Sequence, residues 1–305
     1  MGLFFSSDRF TRPGPGVRPD APRKKGVARL AEIMGRDMWN FFRAGFLAFL
    51  GCLPFIIGMF FAVETHALLF MLLAGIIGGL IAGPELSAMA DTVLRSLRDE
   101  PGYWWETYRR VWKRNARESL VPGMLTGLVL SMQIFTLFHM SVISAGIVTW
   151  VLLILSFVVT LGLESYIWPQ IALLDLPLYG ILKNSLLLFL GYLPRSLGAI
   201  AIKAVYWGAI LLFFPLTTII LPFTNFWLPM LPALLCVYQP LNKCFTIEST
   251  INKMREDELN AALAKDNEPL PEDPTEKAEE STEASSDDSS SDDSSSDDSS
   301  SDDVQ

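Results

Sequence analysis

Residues 44–84 read AGFLAFLGCLPFIIGMFFAVETHALLFMLLAGIIGGLIAGP, a run in which Glu64 is the one charged side chain. A transmembrane helix needs ~20 consecutive apolar residues. The run is long enough for two, and Glu64, Thr65 and His66 at its centre make a tight polar turn between them. The pattern recurs along the chain: residues 44–63, 65–84, 119–163 and 204–242 all lack Asp, Glu, Lys and Arg. By length these are one span, one span, two spans and two spans. The fold class predicted is all-α, a polytopic helical membrane protein with six transmembrane helices in three hairpins. The spans fall at about Gly45–Val63, Ala67–Ala82, Ser119–His139, Val142–Leu163, Leu197–Thr217 and Asn225–Val237.

Charge sets the expected orientation. None of the 24 Lys and Arg residues falls in the short connections inside the hairpins. They lie in the N-terminal arm, the two long connections or the C-terminal region, apart from Lys203 just inside a span. Lys and Arg favour cytoplasmic segments, so both termini are expected in the cytoplasm. The divisions are a basic Pro/Gly-rich arm (1–37), a six-span domain (38–250) with cytoplasmic connections 84–118 and 165–196, and an acidic tail (251–305). With eight Arg or Lys in the first 37 residues and no apolar run there, the first span is expected to serve as an uncleaved signal-anchor. The start Met1-Gly2 with Ser6 matches the N-myristoylation pattern, although a plain arm touching the bilayer through Leu3, Phe4 and Phe5 is the simpler expectation.

The acidic net charge of -9 averages two unlike parts. Residues 251–305 hold 19 acids against 4 bases, a net of -15, whereas 1–250 hold 14 acids and 20 bases, a net of +6. The tail repeats Asp-Asp every five residues from Asp287 to Asp302 with serines between, a composition that cannot bury a core. Cys52, Cys236 and Cys244 have no metal-ligand spacing. No P-loop, G-x-S-x-G, H-E-x-x-H or dinucleotide fingerprint occurs. No enzyme, cofactor or metal is therefore expected, and a chain acidic overall with its basic patch against a membrane is not a nucleic-acid binder.

The connections are patterned. Gly75, Gly78, Gly79 and Gly83 in the second span suit a close helix–helix interface. Pro84 suits the first turn of a helix, after which Leu86, Met89, Ala90, Val93, Leu94 and Leu97 recur with helical period. Pro101-Gly102 should end that helix. A second, Tyr103–Glu118, sets Trp105, Tyr108, Val111 and Trp112 toward one side and Arg109, Arg110, Lys113, Arg114 and Arg117 on the other, as in a helix lying in the bilayer interface. The expected partner of this basic face is anionic lipid, or else a cytoplasmic protein. The run Leu178–Leu193 contains Lys183, and an in-plane or partly buried helix is favoured over a span.

Within the spans, Glu164 ends the fourth and Lys203 lies six residues into the fifth, roughly 9 Å of rise, within snorkelling reach of the interface. Ionisable groups in spans are functional candidates. The expectation is a structural ion pair or simple snorkelling, or else part of a substrate or ion pathway. His66 and His139 fall near outer turns, where a histidine is normally solvated.

The run Gly83-Pro84-Glu85-Leu86-Ser87-Ala88-Met89, then Leu97-Arg98-Asp99-Glu100, Trp105, Arg110 and Lys113-x-Asn115, resembles the YesL family of bacterial membrane proteins. Met1-Gly2-Leu3-Phe4-Phe5 and Leu182-Lys183-Asn184 fit as well. The resemblance covers about residues 1–8 and 30–250; the arm at 11–28 and the Ser/Asp tail are additions to it. It implies a polytopic protein encoded near carbohydrate ABC-transport genes, hence a non-enzymatic accessory or scaffold partnered by the lipid bilayer and sugar ABC-transporter subunits. The alternative is a small-solute permease. The family assigns no catalytic residues, so none carry over.

Overall fold

The computed structural model describes residues 24, 26–100, 102–142 and 146–266. The arm as far as residue 23 and the Ser/Asp repeat beyond 266 lie outside the described residues. Among the described residues every regular element is a helix: α1 (Gly26–Thr65), α2 (Leu68–Arg98), α3 (Trp104–Phe138), α4 (Ile147–Leu173), α5 (Leu178–Gly191), α6 (Leu193–Leu212), α7 (Thr217–Thr224), α8 (Trp227–Phe245) and α9 (Ile247–Asp266). Helices α1, α2, α3, α4 and α6 are long and apolar enough to cross a membrane. Large apolar side chains such as Phe60, Leu69, Val151 and Ile154 point out of the bundle, which water would oppose and lipid accepts. This is the architecture of a multi-pass membrane protein. The chain divides into two units, 1–248 and 249–305. In the second, α9 leaves Met254, Leu259 and Leu263 exposed.

Helix length corrects the sequence expectation at the connections. The helices expected at 84–98 and 103–118 are not separate in-plane elements. Each continues a span, so Pro84 lies inside α2 and Pro122 inside α3. At 31 and 35 residues, α2 and α3 rise about 47 and 53 Å against a ~30 Å hydrocarbon core, and both must project beyond it. Helix α1 likewise starts at Gly26, within the stretch assigned to the arm. Two further differences concern the last spans. Helix α5 has 14 residues, about 21 Å of rise, too short to cross, in keeping with a partly buried helix. The stretch expected to turn between the fifth and sixth spans is instead the helix α7, and Asn225 (φ 21°) separates it from α8, which takes up most of the sixth expected span. Asn225 is fully buried, and its Oδ1 accepts from Trp227 N, the first amide of α8, at 3.3 Å.

The core of the bundle is a seam of small residues between α2 and α3. Gly75, Gly79, Gly83 and Ser87 recur every four residues on one helix; Ser119, Gly123, Gly127 and Ser131 do so on the other. A Cβ on Gly127 would lie 2.5 Å from Gly75 O, and one on Gly79 would overlap Gly123 O. The two backbones touch, as small-xxx-small packing requires in lipid. A π-helical turn at Ala74–Gly78 shifts the register of α2, so that Gly78 faces α1 instead: a Cβ there would sit 2.6 Å from Phe55 Cα. One glycine-rich segment therefore receives two neighbouring helices. Asn115, in line with the α3 row, extends the seam by donating from Nδ2 to Ser87 Oγ at 3.0 Å.

Candidate functional site

Helix α2 ends in Leu97-Arg98-Asp99-Glu100, and the last carbonyls of any α-helix lack partners within it. Two arginines of α1 supply them. Arg29 Nη2 donates to Leu97 O at 3.0 Å and Arg36 Nη2 to Ser96 O at 2.8 Å. Cations also suit the negative end of a helix dipole. Asp99 closes the helix in the left-handed region (φ 60°), and its carboxylate receives both arginines: Arg29 at 2.6 Å through Oδ2, and Arg36 through Oδ1. Burial pushes the Asp99 carboxyl up, but the hydrogen bonds from Arg36 and Arg29 outweigh it and hold the group below the usual carboxylate range. Ser96 Oγ donates to Asp37. Arg98 makes a two-point pair with Glu100 at 2.8 and 3.0 Å, both side chains nearly buried. Arg95 Nε meets Asp91 at 2.6 Å. Asp91 behaves oppositely to Asp99: burial pushes its carboxyl up in spite of Arg95, Arg98 and Arg114.

Beside this network, α1, α2 and the start of α3 enclose a cleft whose walls include Asp37, Asn40, Thr92, Glu100, Trp104 and Thr107. The Trp104 ring lies under the Arg43 guanidinium at 5.6 Å, and its indole N–H is buried without a partner. On the opposite edge of Tyr108, the hydroxyl donates to Glu85 at 2.5 Å. Two carboxylates, an amide and an indole N–H can together hold a small polar molecule.

The residues singled out by sequence divide into buried and exposed sets. Gly83, Pro84, Arg98 and Asn115 are buried: Gly83 in the seam, Arg98 in the charge network, Asn115 against Ser87. Trp105 is 58% exposed. Arg109, Arg110, Lys113, Arg114 and Arg117 all face outward, and Arg110 pairs with Glu106 at 3.1 Å. Arg114 does more than present charge. Its Nε bonds Asn115 Oδ1 at 3.0 Å and its Nη2 reaches Ala172 O, near the end of α4, at 2.8 Å. The expected aromatic side of α3 is also split, because Tyr108 and Val111 turn inward while Trp105 and Trp112 remain exposed.

Glu164 on α4 and Lys203 on α6 face the same helix pair and feel each other's charge. No ion pair within 4.0 Å joins them among the described residues; Lys203, 8% exposed, donates instead to Leu161 O at 3.4 Å. Neighbouring links between helices are neutral: Gln133 to Ser156 (2.5 Å) and Thr160 (2.8 Å), Tyr166 with Ser196 (2.9 Å), and Gln170 to Ser185 (2.8 Å). Among the described residues no three His, Cys, Asp or Glu side chains gather to hold a metal.

Sequence reasoning missed Arg29, Arg36 and Asp37, whose partners lie about sixty residues away. No protein-family model, curated protein or solved structure matches the chain.

Proposed function

We propose that this chain is a non-enzymatic accessory of carbohydrate uptake in a bacterial plasma membrane, a YesL-like protein with six spans and cytoplasmic termini. The sixth crossing would be the broken pair α7–α8. Its helical ends would dock a sugar ABC-transporter subunit or a regulator. The observation that carries the proposal is the exposed face at the start of α3, where Arg109, Lys113 and Arg117 stand beside Trp105 on a helix too long to be contained in the bilayer. The same helix is tied to α2 by Tyr108 on Glu85 and to α4 by Arg114 on Ala172 O, and partner surfaces favour arginine and tryptophan contacts. The test is affinity capture of the full-length protein from detergent extracts, followed by mass spectrometry. Sugar ABC-transporter subunits should co-purify and be lost from an Arg109→Glu/Lys113→Glu/Arg117→Glu variant of unchanged expression. Recovery of the protein alone from both would sink the proposal.

One observation favours a permease as the second possibility. Among the described residues Lys203 is buried with no ion pair, its amine donating to Leu161 O, and intramembrane charges commonly mark solute paths. Sugar uptake into liposomes that Lys203→Leu abolishes would establish it, and no uptake by the wild type would dismiss it.

A further inference from the structure

The two histidines of the chain, expected as independent solvated side chains, meet. His66 lies in the α1–α2 turn at φ 53°, and His139 caps the C-terminal end of α3. His66 Nδ1 is 2.7 Å from His139 Nε2, with the rings nearly perpendicular and 4.9 Å apart. His139 is 5% exposed and stacks on Phe135 at 4.0 Å. Its Nδ1 is 2.8 Å from Phe135 O.

These contacts determine where the protons are. A carbonyl only accepts, so His139 Nδ1 carries the hydrogen bonded to Phe135 O. Neutral His139 then offers a lone pair at Nε2, and His66 must donate from Nδ1. A first added proton enters at His66 Nε2 and leaves the N–H···N bond intact. A second must enter at His139 Nε2, the accepting atom. Two N–H donors then face each other across 2.7 Å with two positive charges and no acceptor, and the contact cannot persist.

We propose that the His66–His139 pair is an acid-released latch, which ties the α1–α2 turn to the end of α3 at neutral pH and frees it when both rings are charged. Among the described residues, the acid that adjoins the pair in sequence is Glu64, exposed on α1. Helices α2, α3 and α4 present none, since 65–84 and 119–163 contain no Asp, Glu, Lys or Arg. The latch lies at the end of the bundle remote from Arg29 and Asp99, because α1 begins at one and ends at the other. Its existence does not depend on which side of the membrane that end faces.

The test is hydrogen exchange of full-length protein in nanodiscs, without a histidine tag, following amides of residues 61–71 after correction for intrinsic pH dependence. Protection of these amides should fall roughly tenfold between pH 7.5 and 5, the loss of one part-buried hydrogen bond, while that of 75–87 stays constant. Two variants retain the surrounding structure: His66→Asn, since Asn tolerates the left-handed backbone, and His139→Phe, which keeps the ring on Phe135. Both should show low protection at either pH. Equal protection at pH 7.5 and 5 in the wild type, or an undiminished pH response in both variants, would overturn the latch.

Discussion

Helix α2 is held by opposite means at two depths. From Gly75 to Ser87 it lies backbone against backbone on α3, through glycines whose missing side chains leave no gap. From Arg95 to Glu100 it is held by side chains, with Arg29 and Arg36 of α1 reaching across to its carbonyls and to Asp99. In lipid, neighbouring helices gain nothing from hiding apolar surface, so close van der Waals approach decides which helices pair. Beyond the hydrocarbon the exposed helix end needs hydrogen-bond donors, and arginine carries them on a long arm. Solvent, more than residue hydrophobicity, explains why one helix changes its mode of packing along its length.

The sharpest way to break this contrast is Gly79→Leu. Its side chain would have to occupy the position of Gly123 O, which cannot yield without separating α2 from α3. We expect a loss of roughly 3 kcal/mol or more, read as a collapse of the thermal unfolding midpoint in detergent; an unchanged midpoint would refute the seam. Arg29→Ala comes next. It strips Leu97 O of a donor and takes one arginine from Asp99, for about 2–4 kcal/mol by the same measurement. Arg29→Lys should recover only part of that, because an ammonium cannot match the two-directional fork.

Acid should weaken the charged end selectively. Asp99 is held below its unfolded value in the folded protein. Its stabilisation is therefore present above the unfolded value, ~3.9, and is lost as pH falls through the folded one. The stability gap between wild type and Asp99→Asn should accordingly narrow below about pH 4, whereas the gap between wild type and Gly79→Leu should not. The smallest effect on folding belongs to Trp105→Ala: the ring is exposed, so stability should change by less than about 0.5 kcal/mol, while retention of a captured partner or of anionic vesicles declines. A large drop in stability would move Trp105 from docking to packing.

Much of this was legible in the sequence, and the omissions share one cause. Spans one to five were visible because apolar runs and charge gaps are properties of neighbouring residues. The glycine row of α2 was equally visible. Its counterpart at Ser119, Gly123, Gly127 and Ser131 has the same four-residue spacing and was available to the same test. In contrast, Arg29, Arg36 and Asp99 look like ordinary cytoplasmic charges until the fold places them within 3 Å of one another. The long helices were cut short for a related reason: Pro84 is a usual helix boundary in water and the charge gap after Glu118 marks a span start, yet α2 and α3 run through both.

By itself, the sequence determined that this is an α-helical membrane chain, where its apolar segments lie and which segments collect charge. Each depends on composition over one helix length, and lipid imposes it locally by requiring every backbone hydrogen bond to be satisfied within the segment. Only the tertiary structure decided that α2 pairs with α3 through their glycines, that α1 caps α2, that the chain breaks at Asn225 between α7 and α8, and that His66 finds His139. Those outcomes depend on contacts within about 3–4 Å between residues far apart in the chain, a distance that only the folded backbone sets.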